Sequence, residues 1–250
     1  KGASLKDINK YGLTPLLSAC QSTCPHAIEI IRVMIRLGAN IGDKSLSSKN
    51  TVLHTACLTR NVATVEIVEL LLSQTEGIDV DATNSRGETA LHLACTYPYR
   101  PKLLQLLLQH GANIDATTPQ NGKTALHTAC CFGWTHVVQD LIRFGANVNA
   151  VDHRGATPLH NACRNDYGIS SKRWPDIPFL LANHANINAV NHDGNTPLVV
   201  AAASDCGLEV LMELVRYNTF VNGSVHDHGI ALEPIAEEPV VRASKRPKLE

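Results

Sequence analysis

A seven-residue phrase opening Thr-x-Leu returns six times along this chain, and no other feature limits its folding choices as much. The copies are TPLLSAC from Thr14, TVLHTAC from Thr51, TALHLAC from Thr89, TALHTAC from Thr124, TPLHNAC from Thr157 and TPLVVAA from Thr196. They are separated by steps of 37, 38, 35, 33 and 39 residues. A second landmark follows most of them: GANIG from Gly38, GANIDA from Gly111, GANVNA from Gly145 and HANINA from His184. Two landmarks in fixed order imply one structural unit copied along the chain.

The fourth copy shows what a unit builds. Thr124 is placed to cap a short helix through its hydroxyl, and Ala125, Leu126, Ala129 and Cys130 give that helix small, close-packing faces. Val137, Val138, Leu141 and Ile142 fall at helical spacing and form the apolar stripe of a second helix. Gly145 follows as a left-handed C-cap, and residues 147–155 carry turn formers suited to a projecting hairpin. Each unit therefore predicts helix, turn, helix, hairpin. One unit alone cannot cover its apolar faces, so neighbours must stack.

The six copies resemble the ankyrin repeat family over roughly residues 7 to 223, through its Thr-Pro-Leu-His-x-Ala signature. The resemblance implies an all-α solenoid of stacked helix-turn-helix units with projecting β-hairpin loops. Approximate repeats are 7–42, 43–82, 83–116, 117–150, 151–189 and 190–223 within a domain of residues 1–223. The 39-residue step after Thr157 places an insertion around Gly168, Pro175 and Pro178, between the helices of the fifth repeat. In the second repeat, KSLSSKNTVLH lacks the turn glycine, so the helical signal persists while the hairpin signal does not. Leu17 and Val199 replace the motif histidine in the first and last repeats, as expected of terminal units. Beyond residue 223 the periodicity ends, and 224–250 is expected to be a disordered tail.

Composition narrows the function. Hydrophobic residues make up 44% and charged residues 18% of the chain, and aromatics only 4%, which suits a core of Leu, Ile, Val and Ala. A net charge of -1 gives no reason to expect nucleic acid or anionic membrane as a partner. No apolar run approaches the roughly 20 residues of a spanning helix. Five of the eight cysteines, Cys20, Cys57, Cys95, Cys130 and Cys163, recur with the motif. That recurrence argues for small buried thiols in a reducing compartment rather than disulfides.

The pairs His54/Cys57, His92/Cys95, His127/Cys130 and His160/Cys163 carry zinc-ligand chemistry at helical spacing. Each repeat supplies one pair, however, and stacked helices lie about 8–10 Å apart, too far to share a tetrahedral site. No metal or other cofactor is expected. The family resemblance implies instead that His54, His92, His127 and His160 are structural and hydrogen-bond neighbouring backbone. Nucleophile elbows, phosphate-cradling loops and His-Glu-x-x-His zinc motifs are absent from the sequence, so no catalysis is expected.

What the resemblance leaves is recognition of another protein, by a monomeric array, along the concave face and hairpin tips. Aromatic and arginine side chains are the usual anchors of interfaces, which singles out Arg86, Tyr97, Phe132, Arg154, Arg164, Tyr11 and Trp174 as partner-binding candidates. A second possibility is the substrate-recognition part of a ubiquitin ligase adaptor with domains elsewhere. In the tail, Lys245, Arg246, Pro247 and Lys248 look like a nuclear import signal, consistent with an intracellular protein of cytoplasm or nucleus. Asn149 and Asn188 stand where proteins of this family are hydroxylated on asparagine, each eight residues after a leucine, Leu141 and Leu180.

Overall fold

The computed structural model describes residues 4–59, 63–73, 78–96, 100–164, 176–204 and 208–221. Among them, the helices alternate between a short inner one and an outer one. They are α1 (Pro15–Gln21), α2 (Ala27–Arg36), α3 (Val52–Leu58), α4 (Thr64–Ser73), α5 (Ala90–Ala94), α6 (Pro101–Gln109), α7 (Ala125–Phe132), α8 (Thr135–Arg143), α9 (Pro158–Cys163), α10 (Asp176–Ala182), α11 (Pro197–Ala203) and α12 (Leu208–Val221). Each odd helix packs on the even helix that follows it. Odd helices also stack on odd, and even on even, in chain order, giving a two-layered solenoid.

The repeated threonine starts every inner helix. Thr14, Thr51, Thr89, Thr124 and Thr196 accept the backbone N–H three residues on at 3.4–3.5 Å, satisfying a donor the helix itself cannot. Behind these caps the core is one continuous slab. Leu53, Leu91, Leu126 and Leu159 from the inner layer and Ile67, Leu103, Leu107, Leu141 and Leu180 from the outer layer are all within 1% of full burial. Gly145 adopts φ 92° after α8, as the sequence predicts, and the final helix is pinned by the Tyr217 hydroxyl donating to the Leu181 carbonyl at 2.8 Å.

The projecting loops are narrower than the expected β-hairpins. Each is closed across its base by a backbone bond, Asn9 N–H to Leu13 O, Ser45 to Asn50, Asn84 to Glu88, Thr118 to Lys123, Asp152 to Ala156 and Asn191 to Asn195, all 2.9–3.0 Å, and tightened by a second from Gly12, Lys49, Gly87, Gly122, Gly155 or Gly194 back to the first of these residues at 2.7–3.1 Å. Both bonds share the first loop residue and make a tight turn rather than a ladder, and no described residue is in a strand. The second loop, which lacks the turn glycine, closes all the same, because Lys49 takes the left-handed conformation at φ 55°. The insertion expected around Gly168 to Pro178 falls mostly in 165–175, outside the described residues, as does the tail with Lys245, Arg246, Pro247 and Lys248.

Candidate functional site

The motif histidines sit at the joints between repeats. His54 Nδ1 accepts the Thr51 backbone N–H at 3.3 Å and lies 2.7 Å from the Thr51 hydroxyl, while its Nε2 donates to the Glu88 carbonyl of the next repeat at 2.8 Å. The same arrangement recurs with His92 to Lys123 O at 3.1 Å, His127 to Ala156 O at 3.0 Å and His160 to Asn195 O at 3.1 Å. Only a neutral ring protonated on Nε2 satisfies both contacts. Desolvation in these buried joints lowers all four histidine pKa values, outweighing the opposing pull of the accepting carbonyls. Both ring nitrogens are thereby engaged within the protein, leaving neither lone pair for a metal ion. Burial likewise pushes the Cys20 and Cys57 thiols up to about 12 and raises Cys95 further. These thiols are not nucleophiles at neutral pH.

The loop tips are clamped from below. Asn9 Oδ1 accepts the Tyr11 and Leu13 N–H groups, Asn84 Oδ1 those of Arg86 and Glu88, and Asp152 Oδ1 those of Arg154 and Ala156, at 2.8–3.1 Å. Tyr11, Arg86 and Arg154 therefore hold the same position in the first, third and fifth tips, and all three are exposed. The tips are also tied to one another: Leu46 N–H to Gly12 O at 3.0 Å, and Ser85 to Ser48, His153 to Asn121 and His192 to Arg154 at 2.8 Å. At the remaining junction Pro119, which has no N–H, packs over Gly87 instead.

Phe132 and Arg164 stand elsewhere. Phe132 is the last residue of α7, half-buried, and Arg164 is the exposed C-cap of α9. At 1.5 Å per residue, these helix ends lie about 10 Å along the inner wall from the tips. The candidates thus form two rows rather than one patch. Tyr97 and Trp174 fall outside the described residues.

Asn149 is exposed yet fully used. Its Oδ1 accepts the Asn186 N–H at 2.7 Å and its Nδ2 donates to the His184 carbonyl at 2.9 Å. It continues a ladder in which Asp81 accepts from Asn113 at 2.8 Å and Asp115 from Asn147 at 2.9 Å. Asn188 is exposed, with its N–H held by Asn186 Oδ1 at 3.0 Å. Sequence reasoning misses this ladder, and it misses Arg100, whose Nη1 donates to the Thr59 carbonyl at 2.8 Å and the Cys57 carbonyl at 3.4 Å. The recurrence of an Asp or Asn acceptor every 34 residues, at 81, 115 and 149, is the signal that marks the ladder.

Comparison with known proteins agrees with this geometry. The family model for ankyrin repeats, in three copies, matches residues 26–118 and 99–172. The chain belongs to the ankyrin repeat family. Among its relatives, the mouse B-cell lymphoma 3 protein homolog is 32% identical over 62% of this chain and 33% of its own length. An intracellular phospholipase A2 of Caenorhabditis elegans is 33% identical over 56% of this chain but 13% of its own length. The I-Kappa-B like protein F1 of Microplitis demolitor bracovirus is 33% identical over 37% of this chain and 53% of its own. The crystal structure of the Bcl-3 ankyrin repeat domain, described as a unique member of the IkappaB protein family, superposes with a TM-score of 0.69 at 29% identity. That superposition covers 85% of this ankyrin chain and 86% of the Bcl-3 domain. The chain spans about a third of the length of the mouse relative. No helix among the described residues is long and apolar enough to cross a membrane.

Proposed function

We propose that this ankyrin array is a non-catalytic interaction module that holds another protein against its inner wall and loop tips. The observation that carries the proposal is the division of labour at the tips. Asn and Asp side-chain clamps and backbone bonds hold the loops, so the side chains of Tyr11, Arg86 and Arg154 project at equivalent positions without a part in stacking. Rigid, repeated presentation of aromatic and arginine side chains is the usual make-up of a protein-binding surface. The similarity to B-cell lymphoma 3 and I-Kappa-B like proteins supports the same reading and an intracellular site of action.

The test is loss of partner capture by the combined substitution of Arg86, Tyr97, Phe132 and Arg164 by Ala. Removing central anchors can cost about 2 kcal/mol or more each, though not additively. Two such losses weaken binding on the order of several hundredfold, with helical content unchanged by circular dichroism. Gln105→Ala with Gln139→Ala, on the outer helices, provides the comparison. If the outer pair lost the partner while the inner set kept it, the binding face would be the wrong one.

A further inference from the structure

The net charge of -1 hides a row of cations along the loop tips. Five successive tips each carry one cation: Lys10, Lys49, Arg86, Lys123 and Arg154, exposed except for the half-buried Lys123. The six inner helices contain no Asp or Glu. Of the carboxylates on the tips, Asp152 is buried and spent on backbone N–H groups, and Glu88 is half-buried and accepts from Asn84 Nδ2 at 3.0 Å. The remaining one, Asp193, stands on the sixth tip. Asp43, Asp79, Asp81 and Asp115 stand on the arms of the same loops before the tips, where Asp81 and Asp115 accept the N–H groups of Asn113 and Asn147. Among the described residues, the ion pairs Arg143–Asp140 at 3.5 Å and Arg216–Glu213 at 3.8 Å are on outer helices and consume no tip cation. Lys10 lies over the Tyr11 ring, 5.1 Å from its centre, which keeps its charge at the surface.

We infer that the cation-bearing tips bind an extended acidic segment of the protein partner, with carboxylates recurring about every third residue. This rests on the proposed interaction surface and specifies its chemistry. Stacked repeats advance about 10 Å each, and an extended chain about 3.3 Å per residue, so one tip meets every third residue of a segment laid along the row. The inter-tip hydrogen bonds at 2.8–3.0 Å fix that spacing. Duplex nucleic acid, with a charge about every 1.7 Å, calls for a far denser array of cations than one per tip.

A labelled Gly-Ser-Glu repeat peptide, about 15 residues long so as to span five tips, tests this by fluorescence anisotropy with the intact chain. Gly-Ser-Lys peptide, a peptide of the same composition with its glutamates in one block, duplex DNA and anionic phosphatidylserine vesicles serve as competitors. The expected result is binding of the spaced Glu peptide that weakens steeply as salt screens it, with weaker binding of the blocked peptide. Reversing Lys10, Arg86 and Arg154 to Glu is expected to lower affinity on the order of a hundredfold. The milder triple alanine variant replaces it if circular dichroism shows unfolding. Equal binding of the spaced Glu peptide by the altered chain, or preference for the Lys peptide, DNA or vesicles, would overturn the inference. If that happened while the Arg86/Tyr97/Phe132/Arg164 alanine set still abolished partner capture, only the acidic-segment inference would fall. Partner capture indifferent to that set would remove the interaction surface itself.

Discussion

A histidine that accepts with one ring nitrogen and donates with the other tolerates a single protonation state. His127 accepts the Thr124 N–H at Nδ1, 3.2 Å, and donates from Nε2 to Ala156 O, 3.0 Å, with its ring fully buried. Protonating Nδ1 would set two donors against each other. His127→Ala is therefore expected to cost about 1–3 kcal/mol by stranding buried groups, measured by urea denaturation. The four joints also predict a pH dependence. Folding holds these pKa values below the unfolded reference of about 6.5, so below that pH the unfolded chain binds more protons than the folded one. Their contribution is complete above about pH 6.5 and is lost as pH falls toward the depressed values. The urea midpoint should drop between pH 7.5 and 5, and less so in a variant lacking the joints. At the tips, a Cβ on Gly155 would sit 2.8 Å from the His192 ring and 3.2 Å from its backbone N, whereas one on Gly194 meets nothing within 4 Å. Gly155→Ala should thus cost more than Gly194→Ala, which carries only left-handed strain of about 1–2 kcal/mol. Conversely, Lys49→Gly and His184→Gly should each stabilise by about 0.5–1 kcal/mol, because both residues already have φ of 55° and 67°.

At the scale of elements, what the sequence announces and what it conceals divide by range. Caps are local, so Thr124 three residues before His127 predicts the start of α7, and the Gly-Ala-Asn landmark predicts the end of α8; the fold shows both. The end of α3 is different. Thr59 is extended at ψ 134°, and the terminal carbonyls of that helix are met by Arg100, 41 residues ahead. No periodicity flags such a residue, since its role depends on how closely two repeats approach. Arg100→Met, which keeps the apolar stem, should destabilise by about 1.5–3 kcal/mol, the worth of a charged hydrogen bond. The loss should be localised by hydrogen exchange to the amides of α3 and α4. The candidate binding residues were legible as types, Arg and aromatic at variable positions. Their division into a tip row and a helix-end row was not, because it requires knowing which end of the inner helix each residue occupies.

Across the whole molecule, stability is a sum of repeats and of joints between neighbours. Val199 stands where a histidine would reach forward, and Leu208, Met212 and Val215 on α12 are about half exposed or more. The last repeat accordingly has one joint where inner repeats have two. Leu141→Ala in α8 should cost about 2–5 kcal/mol and disturb both neighbours. Leu214→Ala in α12 should release only the last repeat, leaving a partly folded species visible by hydrogen-exchange mass spectrometry. If both substitutions shifted one all-or-none transition equally, additive coupling would be the wrong description. The joints themselves link residues only 29 to 35 positions apart. A chain whose binding partners within itself are never much more than one unit away need not wait for its C-terminus before folding. Contact order is low, and each repeat can dock on its predecessor as it emerges from the ribosome, so the array can grow in the direction of its own synthesis.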